Sequence, residues 1–139
     1  MVDIAVTTSE VLPGTGGRQE TYIAAAVITP GQACSVSGGR ASLAQADDTA
    51  ASAQVKGIAV TGATAIGQPV ILQTNGSVTI GATAALTVGE TYVLSATAGG
   101  ITTDADLVTD DYVTVIGVAT AAGVLAMGSG PLASGAQVP

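Results

Sequence analysis

Three stretches of this chain follow one plan. Gly31-Gln32-Ala33-Cys34-Ser35-Val36-Ser37, Gly67-Gln68-Pro69-Val70-Ile71-Leu72-Gln73 and Gly89-Glu90-Thr91-Tyr92-Val93-Leu94-Ser95 each open on glycine, pass through Gln or Glu, and enter an extended apolar run. Each run is closed by a glycine turn, at Gly38-Gly39, Asn75-Gly76 and Gly99-Gly100. Runs this short between such turns read as strands. The first and third copies match further, because Ile28-Thr29-Pro30-Gly31 mirrors Leu86-Thr87-Val88-Gly89 and Val55-Lys56-Gly57-Ile58-Ala59-Val60 mirrors Val115-Ile116-Gly117-Val118-Ala119-Thr120. The spacing is 58 residues at the first glycine and 60 at the second. Self-similarity on this scale predicts two related β-units.

Between the units lies the run from Gly67 to Gly81. Asn75-Gly76 tolerates positive φ at both turn centres, which predicts a two-residue hairpin, and Val78 and Ile80 alternate with Ser77 and Thr79 on its outgoing arm. Further strands are expected over Thr21–Ile28, Tyr112–Ala119 and Val124–Met127. The loop Ala44–Ala53 is expected to hold one helical turn capped by Asp47 or Asp48. The expected fold is all-β, a compact β-barrel or β-sandwich-like domain over residues 21–128, made of two related β-units plus a central hairpin. An N-terminal arm (residues 1–20) precedes it and a flexible, Gly-, Ser-, Pro- and Ala-rich tail (129–139) follows.

At 139 residues the chain suits one domain, but its core material is restricted. Phe and Trp are absent and only Tyr22, Tyr92 and Tyr112 are aromatic, so burial falls to Val, Ile, Leu and Ala. Charged residues are 9% of the chain, against about 25% in an ordinary soluble domain. A surface of Ala, Thr, Ser and Gly costs little side-chain entropy to cover, which points to burial in an assembly; the alternative is a monomer kept soluble by its net charge of −7.

Three cations, Arg18, Arg40 and Lys56, stand against ten acids, so nucleic acid is a poor partner for a surface that cannot displace its counterions. No apolar run reaches 18 residues, and no basic segment leads into an apolar core at the start; neither a membrane span nor a signal peptide is expected. Val2, Ile4 and Val6 alternate with Asp3, Ala5 and Thr7 ahead of Pro13-Gly14-Thr15-Gly16-Gly17. That strip is either an arm that pairs with another chain's sheet edge or a frayed terminus.

Chemistry has little to work with. The chain contains no histidine, so neither Ser nor Cys has the usual base, and Lys56 reads as a strand residue reaching the surface. Asp104, Asp106, Asp110 and Asp111 are the densest set of cation ligands, but they lack the glycine and distal glutamate of an EF-hand loop and read as a solvated acidic loop. Cys34 is alone and reads as a small buried hydrophobe, with a bond between subunits as the alternative. No catalytic, cofactor or metal site is expected.

One ordered series remains. Val55-Lys56-Gly57-Ile58-Ala59 is followed by Gly67-Gln68-Pro69-Val70, Gly76-Ser77-Val78-Thr79-Ile80-Gly81, and Leu86 through Ser95. Ala98-Gly99-Gly100-Ile101 and Asp110-Asp111-Tyr112-Val113-Thr114-Val115-Ile116-Gly117-Val118-Ala119 complete it. Over residues 28–128 this series resembles the small capsid decoration, or cement, proteins of tailed bacteriophages. The resemblance implies a β domain on the outer surface of the virion's icosahedral capsid, commonly a homotrimer, contacting the major capsid protein and carrying no enzymatic activity. Val2, Ile4, Val6 and Arg18 are then the residues expected at a capsid or subunit interface. The competing expectation is a head-fibre or tail accessory module that binds a host receptor or glycan. A secreted β-repeat surface protein would need an export signal, and none is expected from the opening residues.

Overall fold

The computed structural model describes residues 11–13, 17–80, 86–121, 123–128 and 130–139. In chain order its strands are β1 (Val11–Pro13), β2 (Gln19–Ala24), β3 (Ala33–Ser37), β4 (Arg40–Leu43), β5 (Gly57–Ala59), β6 (Pro69–Gln73), β7 (Ser77–Ile80), β8 (Thr91–Leu94), β9 (Ile101–Thr102), β10 (Tyr112–Ala121), β11 (Val124–Ala126) and β12 (Leu132–Gln137). Strands β2 to β6 close into a five-stranded barrel, sealed by parallel pairing of Ile23 with Arg40 and Ala24 with Ala41. The remaining strands form a second, curled sheet in the order β1-β7-β11-β10-β8-β9, with β12 also paired to β10. The expected compact, all-β, barrel-like fold is the one observed.

The second sheet repeats the first strand for strand. Around the barrel the order is β2-β6-β5-β3-β4, and across the open sheet it is β7-β11-β10-β8-β9, every strand replaced by the one five later. Registers agree as well: Cys34 faces Gly57 as Tyr92 faces Gly117, and Leu72 faces Ala59 as Leu125 faces Ala119. The loop hydrogen bonds also recur. Gly31 N donates to Ala59 O at 2.7 Å and Gly89 N to Ala119 O at 2.8 Å, while Ala59 N and Ala119 N return bonds to Gln32 O and Glu90 O. The copies differ where the ring closes. In the first, β2 pairs with β4; in the second, the equivalent edge of β7 is taken by β1 in antiparallel register, and the sheet stays open.

The repeated glycine has a conformational cause. In Thr29-Pro30-Gly31-Gln32, Ala65-Ile66-Gly67-Gln68 and Thr87-Val88-Gly89-Glu90 the fourth residue's N–H donates to the first residue's carbonyl, and the glycine holds φ of 91°, 94° and 87°. A positive φ at the third position is the signature of a type II turn, which strongly favours glycine there. The second position points outward, which is why Ile66 and Val88 are among the most exposed large apolar residues, at 68% and 65%.

Two cores fill the two halves. A five-stranded ring is narrower than the eight-stranded barrels that hold bulky layers, and it is packed by Ala24, Cys34, Ala41, Ala59, Val70 and Leu72. The absence of Phe and Trp is thereby accommodated. The open sheet encloses the larger cluster, with Val78, Ile80, Tyr92, Leu94, Ile101, Ile116, Leu125 and Met127. Its open side is filled from the other copy: Ala44, Ala46, Ala53 and Val55, on the β4–β5 loop, belong to this second cluster. Ala46 N donates to Ser95 O, Tyr112 N to Ala46 O, and the buried Thr114 hydroxyl to Ala53 O.

Several local expectations need correction. The Gly67–Gly81 run is not a hairpin, because β6 pairs with β2 and β5 in the barrel while β7 pairs with β1 and β11 in the other sheet. Asn75 does not take positive φ, so the turn lacks the type I′ form; only Gly76 does, at 73°. The two-residue hairpin lies instead at Gly38-Gly39, with φ of 60° and 78° between β3 and β4. The turn in the 44–53 loop is capped by Thr49, whose Oγ1 accepts from Ser52 N while its carbonyl accepts from Ala53 N. In the tail, residues 132–137 are strand β12, aligned with Tyr112, Thr114 and Val115 of β10. In the arm, Val11–Pro13 pair with Val78–Ile80, and Pro13, lacking an N–H, suits such an edge.

Candidate functional site

Of the four residues expected at an interface, Val2, Ile4 and Val6 lie outside the described residues, and Arg18 leads directly into β2. The Arg18 backbone is tied to the crossover between the two copies. Its N–H donates to Asn75 Oδ1 at 2.6 Å, and its carbonyl accepts from Thr74 N at 2.8 Å and from Thr74 Oγ1 at 3.3 Å. The crossover is held from the second copy too, by Gly76 N to Gly128 O and Met127 N to Gly76 O. Gln73, fully buried, braces it from beneath: its Nε2 donates to the carbonyls of Asn75 and Ser77.

A polar pocket of about 250 Å³ opens at this joint, lined by Arg18, Glu20, Lys56, Thr74, Asn75 and the Gly130-Pro131 backbone segment. Lys56 precedes β5 and its side chain is 47% exposed; Nζ lies 3.7 Å from Glu20 Oε2. The same carboxylate oxygen accepts from the Tyr22 hydroxyl at 3.2 Å. Desolvation raises the Tyr22 pKa, the Glu20 hydrogen bond and charge add to the rise, and the nearby Arg18 charge opposes it. Gly130 holds φ of 126°, and a Cβ there would stand 2.9 Å from Thr74 O, so glycine keeps this wall thin. The sequence marked Arg18 but not its partnership with Lys56, Thr74 and Asn75, because contacts 57 residues apart along the chain leave no local trace.

The second feature is an apolar outer face. Val115 of β10, half-buried, stands opposite the exposed Leu132 of β12 and opposite Val93 of β8, which is itself buried. Val93, Val113 and Val115 line a cleft of about 450 Å³ with Gly89, Glu90 and Thr91, and Leu132 is 70% exposed. Strand β10 alternates as a half-buried strand must, with Thr114 and Ile116 turned into the core.

The acidic loops serve structure. Asp111 is buried and its Oδ2 accepts from Val108 N at 2.9 Å, so it is not the solvated acid expected. Asp106 Oδ2 accepts from the Thr102 hydroxyl at 3.1 Å. Asp110 takes a φ of 74°, and its N–H donates to Val138 O while its carbonyl accepts from Gln137 Nε2, which fastens the end of the chain. Among the described residues no group of three or more His, Cys, Asp or Glu is placed to hold a metal ion. Cys34 is fully buried and its thiol is pushed up to about 12 by burial, a state unsuited to nucleophilic attack near neutrality. No protein-family model, curated protein or solved structure matches this chain.

Proposed function

We propose that this chain is a structural protein of a tailed-bacteriophage head, decorating the outer surface of the capsid as a homotrimer and bridging major capsid protein subunits. The observation that carries the reading is the aliphatic strip of Val113 and Val115 on β10 beside the exposed Leu132 on β12, in a chain only 9% charged. Such a face gains from being covered at roughly 25 cal/mol per Å² of apolar surface removed from water. Its small neighbouring side chains have little conformational entropy to lose on contact. Binding only to the mature lattice would lower the free energy of the intact shell by RT ln(1 + [L]/Kd) at each site, and many modest sites sum to a large effect.

Heads assembled without this protein should release DNA at lower temperature than decorated heads, and adding the purified protein back should restore the difference. Unchanged release in both comparisons overturns the reading. The receptor- or glycan-binding alternative predicts lost adsorption with head stability intact. It is the weaker reading because Tyr92 is buried and Tyr22 and Tyr112 are half-buried, leaving no fully exposed ring on which a sugar could stack.

A further inference from the structure

We infer that the pocket at the joint between the two copies is a binding site for a carboxylate presented by a partner protein, held by Arg18 and Lys56. Two of the chain's three cations converge there, in a molecule of net charge −7. Only one acid, Glu20, lines the same pocket, so the site carries a net charge of about +1 while the rest of the molecule is acidic. Glu20 answers only one of the two cations: its Oε2 forms an ion pair with Lys56 Nζ at 3.7 Å and also accepts from the Tyr22 hydroxyl. Among the described residues the Arg18 guanidinium makes no hydrogen bond or ion pair, although its backbone makes three.

The pocket therefore sets two cationic side chains against one carboxylate, with its frame fixed. Arg18 is pinned to Thr74 and Asn75, Lys56 N donates to Cys34 O at 2.7 Å, and Gly130 keeps the wall open. A guanidinium offers a planar fork that matches a carboxylate with two parallel bonds, and an ammonium beside it adds a point charge. The charge balance selects the ligand class. A monoanion neutralises the site, whereas a polyphosphate or nucleic acid would meet two cations and the repulsion of the surrounding acids.

The source of the carboxylate, an acidic side chain on a shell subunit, rests on the decoration reading; the pocket does not. The test therefore has two arms. In the first, sodium acetate is titrated against the purified protein at pH 7 with sodium chloride as control, following the backbone amides of Thr74, Asn75 and Lys56 by NMR. Acetate should shift these amides saturably, and the Arg18→Gln, Lys56→Gln double variant, folded by the same spectrum, should lose the response. No acetate-specific shift, or inorganic phosphate binding tighter than acetate, overturns the inference. In the second, the double variant should bind purified shells about tenfold or more weakly than the parent, with a flatter dependence on salt. Equal binding and equal salt dependence overturn the assigned source, and failure of the parent protein to bind shells counts against the decoration reading alone.

Discussion

Cys34 sits in a barrel interior made of alanines and aliphatics, and among the described residues its Sγ reaches only the Gln32 carbonyl, at 3.6 Å. Burial raises its pKa from 9.0 to about 12, because the thiolate has no cation to compensate its desolvation. The sign of the linkage follows. Between about pH 9 and 12 the unfolded chain releases a proton that the folded chain keeps, so stability present below pH 9 is lost as pH rises, by up to about 1.4 kcal/mol per unit. Urea unfolding of the parent should therefore weaken more steeply between pH 8 and 10 than that of Cys34→Ala; identical slopes would refute the account. This residue was readable in advance, since a lone cysteine in an aliphatic strand behaves as a small hydrophobe. Gln73 was not. Only the fold reveals that a polar strand residue next to the crossover is fully buried and holds two carbonyls.

Among the elements, the strands were legible where polar and apolar residues alternate, as in Ser77–Ile80, and where glycine marks their start. Pairing was less so. Asn75-Gly76 carries the dipeptide of a tight hairpin, yet Asn75 spends its side chain on Arg18 N and the two arms part to different sheets. The repeat was the better guide, and it extends further than Gly31 and Gly89. Gly57 and Gly117 occupy matched places: a Cβ on Gly57 would strike the Gln73 carbonyl on the neighbouring strand, and one on Gly117 would strike that of Ala126. Gly57→Ala and Gly117→Ala should each force neighbouring backbones apart and destabilise by about 1–3 kcal/mol in denaturant unfolding. A negligible cost at either position would break the equivalence.

For the molecule as a whole, composition announced the core chemistry but not its partition. A narrow ring takes the small residues and an open sheet takes the large ones, and no local pattern says which copy will close. The halves share the 44–55 segment and the Thr74–Gly76 crossover, so they should unfold together. Variants retaining only Tyr22, which reports on the barrel, or only Tyr92, which reports on the open sheet, should show coincident thermal transitions by fluorescence; separated midpoints would mean two independent units. The alanine-lined loop that leaves one copy to roof the other has a further bearing. Neither half is a self-sufficient module: a fragment severed at the crossover would present either a roof with nothing beneath it or an uncovered aliphatic basin. Anyone shuffling or grafting pieces of this protein must carry both copies together.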